Sequence, residues 1–141
     1  PSASSAASDV YKRQVVEEAC EGLSGVSSSQ IEINANIQFY DGMTTKEVQQ
    51  ILVRSANDLI SLEAPNYQYA AARLLSYDVR KEAHGQYEYI PLLKLVLRNI
   101  KLGVYDRTIV EQYNKSEIKK FTEYCINFID SLEYEEEGGD N

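Results

Sequence analysis

Tryptophan is missing from this chain, and methionine and histidine occur once each, as Met43 and His84. With one histidine and two distant cysteines, Cys20 and Cys125, no residues have the spacing of a structural zinc site. A single cysteine pair is not a disulfide framework, and reduced thiols fit a cytoplasmic protein. Glycine and proline number only 7 and 3, too few for a chain dominated by tight turns, so helices are favoured over a sandwich. No run of about 18 apolar residues occurs, so no membrane span is expected. No basic start leads into an apolar run, so no secretory signal is read. Basic residues are outnumbered, 14 Lys and Arg against 22 Asp and Glu, for a net charge of −8. Phosphate backbones recruit surplus Lys and Arg, which disfavours nucleic acid as a partner; a local basic patch could still hold a nucleotide.

What is present suffices for a packed core. Hydrophobic residues make up 43% of the 141 and charged residues 26%, a balance that argues against wholesale disorder. The length is one domain, or one domain plus a piece of the next. Residues 1–14 show no period and no apolar stripe, and read as a non-native or disordered leader outside the fold. At the other end Glu133, Glu135, Glu136, Glu137 and Asp140 make an acidic tail with two glycines, expected to be solvated.

Between the ends the period is helical. Val15 to Leu23 reads as the tail of a helix stopped near Gly22 and Gly25. Ser27 caps the next, with Gln30 three residues on and Ile31, Ile33, Ile37 and Phe39 as its apolar residues, ending at Asp41-Gly42. Thr44 opens a third helix, with Glu47 completing a capping box and Val48, Ile51, Leu52, Ser55 and Leu59 along one face. Ala64-Pro65 breaks it. The fourth spans about 66–84 and stops at Gly85, with Ala72, Leu75, Val79 and Ala83 as its apolar face. Arg73, Tyr77, Arg80 and His84 fall roughly opposite, and Lys81 flanks them. Three further helices follow: Pro91–Leu102, Asp106–Tyr113, and one capped by Asn114 and Glu117 that carries Ile118, Phe121, Cys125 and Phe128. The expected fold is all-α: a helical bundle over 15–88, then a second group over 89–130, with 131–141 as tail. Ile37, Phe39, Val48, Ile51, Leu52, Leu59, Leu75 and Val79 are its expected core.

Several strings, in order, resemble a known family: Glu21-Gly22-Leu23; Ile37-Gln38-Phe39-Tyr40-Asp41-Gly42-Met43-Thr44-Thr45; Ala64-Pro65-Asn66-Tyr67-Gln68-Tyr69-Ala70-Ala71-Ala72-Arg73-Leu74; Arg80-Lys81-x-x-x-Gly85-Gln86-Tyr87-Glu88; and Gly103-Val104-Tyr105-Asp106. Together they resemble the amino-terminal region of the large subunit of class I ribonucleoside-diphosphate reductase. The resemblance covers about residues 15–118. It implies that 15–88 is an ATP-cone lacking its amino-terminal hairpin, and that 89–130 begins the catalytic domain. The family's hairpin turn, Lys-Arg-Asp-Gly-like, has no match in Lys12-Arg13-Gln14-Val15. The resemblance further implies ATP or dATP as allosteric effector, with the radical-bearing small subunit and other large subunits as partners. The family's catalytic cysteines and barrel have no counterpart here.

The matching site residues are Thr44, Thr45, Gln49 and Lys81. Thr44 and Thr45 start a helix, where free N–H groups and the dipole suit an anion. Gln49 lies one turn beyond Thr45 on the same face; the family usually has histidine there, and glutamine hydrogen-bonds without carrying charge. Lys81 matches a lysine that reaches the phosphates. Each has an ordinary reading too: Thr44 is an N-cap whatever else it does, and Lys81 alone is a solvated helix charge. His84 beside Gly85 is read as a helix C-terminal charge, not a catalyst. The competing identities are a cone from a zinc-ribbon transcriptional repressor, which would carry Cys-x-x-Cys pairs before the cone, and a ligand-free helical interaction module.

Overall fold

The computed structural model describes the backbone of residues 2–138 and the surroundings of the side chains of residues 9–128. Among the described residues every regular element is a helix, as expected for an all-α chain. They fall into two compact units, divided between Glu88 and Tyr89.

The first unit contains α1 (Ser2–Cys20), α2 (Ser28–Asn36), α3 (Thr45–Asn57) and α4 (Tyr67–His84). The capping signals read from sequence are formed. Ser27 Oγ accepts from the Gln30 N–H at 3.3 Å. Thr44 Oγ1 accepts from the Glu47 N–H at 3.2 Å while Glu47 Oε2 accepts from the Thr44 N–H at 2.8 Å. These bonds satisfy donors that the first helical turn would otherwise leave without partners. At the far end of α4 the chain turns at Gly85, whose φ of 77° is costly for any side-chain-bearing residue.

The core is a small set of fully covered residues contributed by all four helices: Val15, Val16 and Ala19 from α1, Ile31 and Ala35 from α2, Leu52 and Ala56 from α3, and Tyr67, Ala70, Ala71 and Leu74 from α4. The most extensive helix pair is α3 with α4. Ala70 and Ala71, both buried, keep the covered face of α4 small. Two side chains tie the long connections to this core. Tyr67 Oη accepts from the Ser27 N–H at 3.1 Å, and Asn66 Nδ2 donates to the Ser24 carbonyl at 3.0 Å. The Ala-Pro-Asn-Tyr string therefore pins the loop between α1 and α2.

Four expectations are corrected. First, the helix whose tail was expected at Val15 to Leu23 runs from Ser2 to Cys20, and Tyr11, expected to lie outside the fold, packs against the core. Second, α2 ends at Asn36, not at Asp41-Gly42; residues 37–44 connect to α3, and Ile37 is 80% exposed. Third, α4 is rotated by about one residue, 100° on a helix, from the expected face: Leu74 is fully buried while Leu75 and Val79 are 51% and 57% exposed. Of the expected core, Leu52 is buried and Phe39, Val48, Ile51 and Leu59 pack partly against it; Ile37, Leu75 and Val79 do not belong to it. Fourth, Arg73 is not on a solvent face. Its guanidinium donates to the carbonyls of Ala19 at 3.2 Å and Glu21 at 2.7 Å, a cation at the negative end of α1.

The second unit holds α5 (Leu92–Lys101), α6 (Thr108–Gln112) and α7 (Lys115–Gly138), with α5 packed on α7. Asn114 and Glu117 form the expected reciprocal cap. Its core is thin: Val96 and Ile118 are buried, while Phe121 and Phe128 are more than half exposed. Helix α7 carries the acidic tail as far as Gly138; the expected solvation of the tail's side chains, and residues 139–141 altogether, lie outside the described residues.

Candidate functional site

The four candidate residues come from two antiparallel helices. Thr44, Thr45 and Gln49 belong to the first turns of α3, and Lys81 to the last turn of α4. A Lys46 to Glu82 ion pair at 3.4 Å sets those two turns side by side. The structure thus brings the start of α3 to the end of α4, where one helix offers N–H groups and the other a lysine.

Each residue has its own surroundings. Thr44 is engaged in the capping box, so its hydroxyl and N–H both face the Glu47 carboxylate. That hydrogen bonding, the backbone N–H of Thr44 first, holds the Glu47 carboxyl below the usual range. An incoming anion at this terminus meets a carboxylate already there. Thr45 is exposed. Gln49 is 1% exposed, and neither its amide oxygen nor its amide nitrogen has a hydrogen-bond partner. A buried amide without partners costs about 1–3 kcal/mol, so such a group needs an explanation.

Lys81 is partly buried, with its Nζ 3.4 Å from Tyr11 Oη and 4.7 Å from the centre of the Tyr11 ring. Three tyrosines missed by sequence reasoning gather at this point. The Tyr11 and Tyr87 rings meet edge to face at 5.8 Å, and Tyr87 leans on Tyr77 at 5.5 Å. Arg80 Nε donates to the Tyr87 carbonyl at 2.6 Å, folding the segment after Gly85 back onto α4. Burial, then the nearby Glu18 carboxylate, raises the Tyr87 phenol. A signal for Tyr77 was in the sequence: it precedes Lys81 by four residues and follows Leu74 by three, on one helical face. Tyr11 carried no such signal, because the residues around it lack a period.

Other features carry less. Among the described residues no group of three or more His, Cys, Asp or Glu is placed to hold a metal ion, and no helix is long and apolar enough to cross a membrane. An open groove of 390 Å³ beside Cys20 is lined by Glu17, Glu18 and Glu21, a charge that repels phosphate. Another of 450 Å³, in the second unit, is lined by Leu92, Leu93 and Leu97 together with Lys94, Lys119 and Glu123. Neither includes a candidate residue.

No family model matches the chain. Similar proteins do. The chain is 41% identical over 114 residues to ribonucleoside-diphosphate reductase 1 subunit alpha of Salmonella typhimurium, covering 81% of this chain and 15% of that protein. It is 43% identical over 107 residues to the protein of the same name in Escherichia coli, covering 76% and 14%. The ribonucleoside-diphosphate reductase subunit alpha of Enterobacteria phage T4 is 38% identical over 96 residues, covering 67% and 13%. Agreement at this level over most of the chain shows common descent, and the chain, which spans about 15% of those relatives' length, belongs to the ribonucleoside-diphosphate reductase alpha-subunit family.

Proposed function

We propose that residues 15–88 are the effector-binding region of a class I ribonucleotide reductase large subunit, an ATP-cone, and that 89–130 begin its catalytic domain. The parent protein reduces ribonucleoside diphosphates to deoxyribonucleotides together with a radical-bearing small subunit and other large subunits, in the cytoplasm, where Cys20 and Cys125 stay reduced. In this reading ATP or dATP lies at the junction of α3 and α4. Thr44 and Thr45 offer the helix terminus, Gln49 hydrogen-bonds the nucleotide, and Lys81 takes a phosphate.

The observation that carries the reading is the meeting of the start of α3, with Thr44 and Thr45, and the last turn of α4, with Lys81, across the Lys46–Glu82 ion pair. Gln49, one turn further in, is 1% exposed with both amide atoms unpartnered, so a nucleotide edge carrying donors and acceptors reaches it only by displacing the side chains that cover it. The reading also implies weak binding by this chain as it stands. Lys46 is paired with Glu82, Glu47 sits at the helix terminus, and Lys81 alone faces a triphosphate with several negative charges. Each charge-assisted hydrogen bond missing from such a site costs about 1.5–3 kcal/mol.

Calorimetry with dATP tests this. The chain itself is expected to give no micromolar binding. Replacing residues 1–14 with a family hairpin is expected to bring such binding in, and Lys81→Ala in that graft to weaken it again. Micromolar binding by the ungrafted chain, or none by the graft, overturns the site.

A further inference from the structure

We propose that Tyr11 is an intramolecular shield over Lys81, standing where an anionic ligand of that lysine would enter. The idea rests on the effector-site reading for the identity of the ligand, but the shield itself stands on contacts of its own. The Tyr11 ring faces the Lys81 ammonium at 4.7 Å, with its hydroxyl at 3.4 Å from Nζ. The ring is braced from behind by Tyr87, whose hydroxyl lies 3.5 Å from Glu18 Oε1 on the same helix. The Arg80 bond to the Tyr87 carbonyl holds that brace against α4. Lys12, the next residue, is seated too: its Nζ lies 4.2 Å from the centre of the Phe39 ring and 3.3 Å from Asp9 Oδ1. Residues 11 and 12 therefore grip the bundle at two places, on α4 and on the segment after α2.

The strength of the grip matters for what it does. A ring face and a neutral hydroxyl are weaker partners for an ammonium than an ionised oxygen. A phosphate can displace Tyr11, but must do so before it reaches Lys81. The shield thus lowers the apparent affinity for any anion there, by the fraction of time the lysine is covered.

The test uses the full chain, with Tyr11→Ala and Tyr11→Leu as variants. Leucine keeps apolar volume against Tyr87 while removing the ring and hydroxyl, and helical circular dichroism checks the fold of both. Lysines are acylated with a small amine-reactive ester, and the Lys81 peptide is quantified by mass spectrometry against exposed Lys101. Lys81 labelling is expected to rise by about two- to fivefold in either folded variant, the factor a cation–ring contact of this class represents. Unchanged labelling in a folded variant overturns the shield. Equilibrium dialysis with dATP then separates the two claims. A rise in labelling with a parallel gain in dATP binding supports both. A rise in labelling with no gain leaves the shield standing and removes the nucleotide as its competitor.

Discussion

Leu74→Ala is expected to lower the unfolding free energy of the first unit by about 2–5 kcal/mol, while Leu75→Ala, one residue along, changes it by less than about 0.5 kcal/mol. The two leucines are chemically identical and sit on the same helix. Leu74 is fully buried in the cluster that also holds Leu52, Ala56, Val15 and Val16, so truncation leaves a void in a packed interior. Leu75 is 51% exposed and loses little on truncation. Leu52→Ala, on the facing helix at 1% exposure, belongs with Leu74 in the large class. Urea unfolding followed by circular dichroism measures all three. Equal effects at 74 and 75 would show that α4 presents a different face to the bundle.

Cys20 is expected to resist alkylation. Burial pushes its thiol up to about 11 from an ordinary 9.0, with the Arg73 guanidinium only partly offsetting the rise. Near pH 8 that shift leaves about 100-fold less thiolate, the reactive form. Iodoacetamide should therefore modify Cys20 roughly 100-fold more slowly in the folded chain than in urea, where the ordinary value returns. A folded rate within about threefold of the unfolded one would contradict the burial. The same shift has a sign for stability. As pH climbs past 9, the unfolded thiol ionises and the folded one does not, so stability is lost progressively between pH 9 and 11. Tyr87, raised chiefly by burial, works in the same direction.

Much of the first unit was legible in the sequence where a local rule decides the outcome. The α3 capping box needs only Thr44 and Glu47 three apart, and the face carrying Leu52 and Ser55 has no rival, because Lys46, Gln50 and Arg54 occupy the other side. Gly85 ends α4 for the same kind of local reason. Helix α4 was different. Apolar residues lie on two of its faces, Ala71 with Leu74 and Ala72 with Leu75, and only packing against α3 and α1 selects between them. Tyr67 lies on the selected face, where its hydroxyl accepts from the Ser27 N–H. In α2 the isoleucines at 31, 33 and 37 fit two periods, and the helix stops at Asn36 despite them. Thr44, Thr45, Gln49 and Lys81 could be named from the resemblance, but not that Gln49 is sealed from solvent or that Tyr11 covers Lys81. Both depend on side chains that come from other helices.

The thin core of the second unit governs how its backbone breathes. With Val96 and Ile118 as its buried apolar side chains among the described residues, little free energy opposes the separation of α5 from α7. Amide protons there are expected to trade with deuterated solvent through sub-global openings, well before those of α3 and α4, which need the four-helix core to come apart. The chain should accordingly show two exchange regimes along its length, with the slow amides confined to residues before Tyr89.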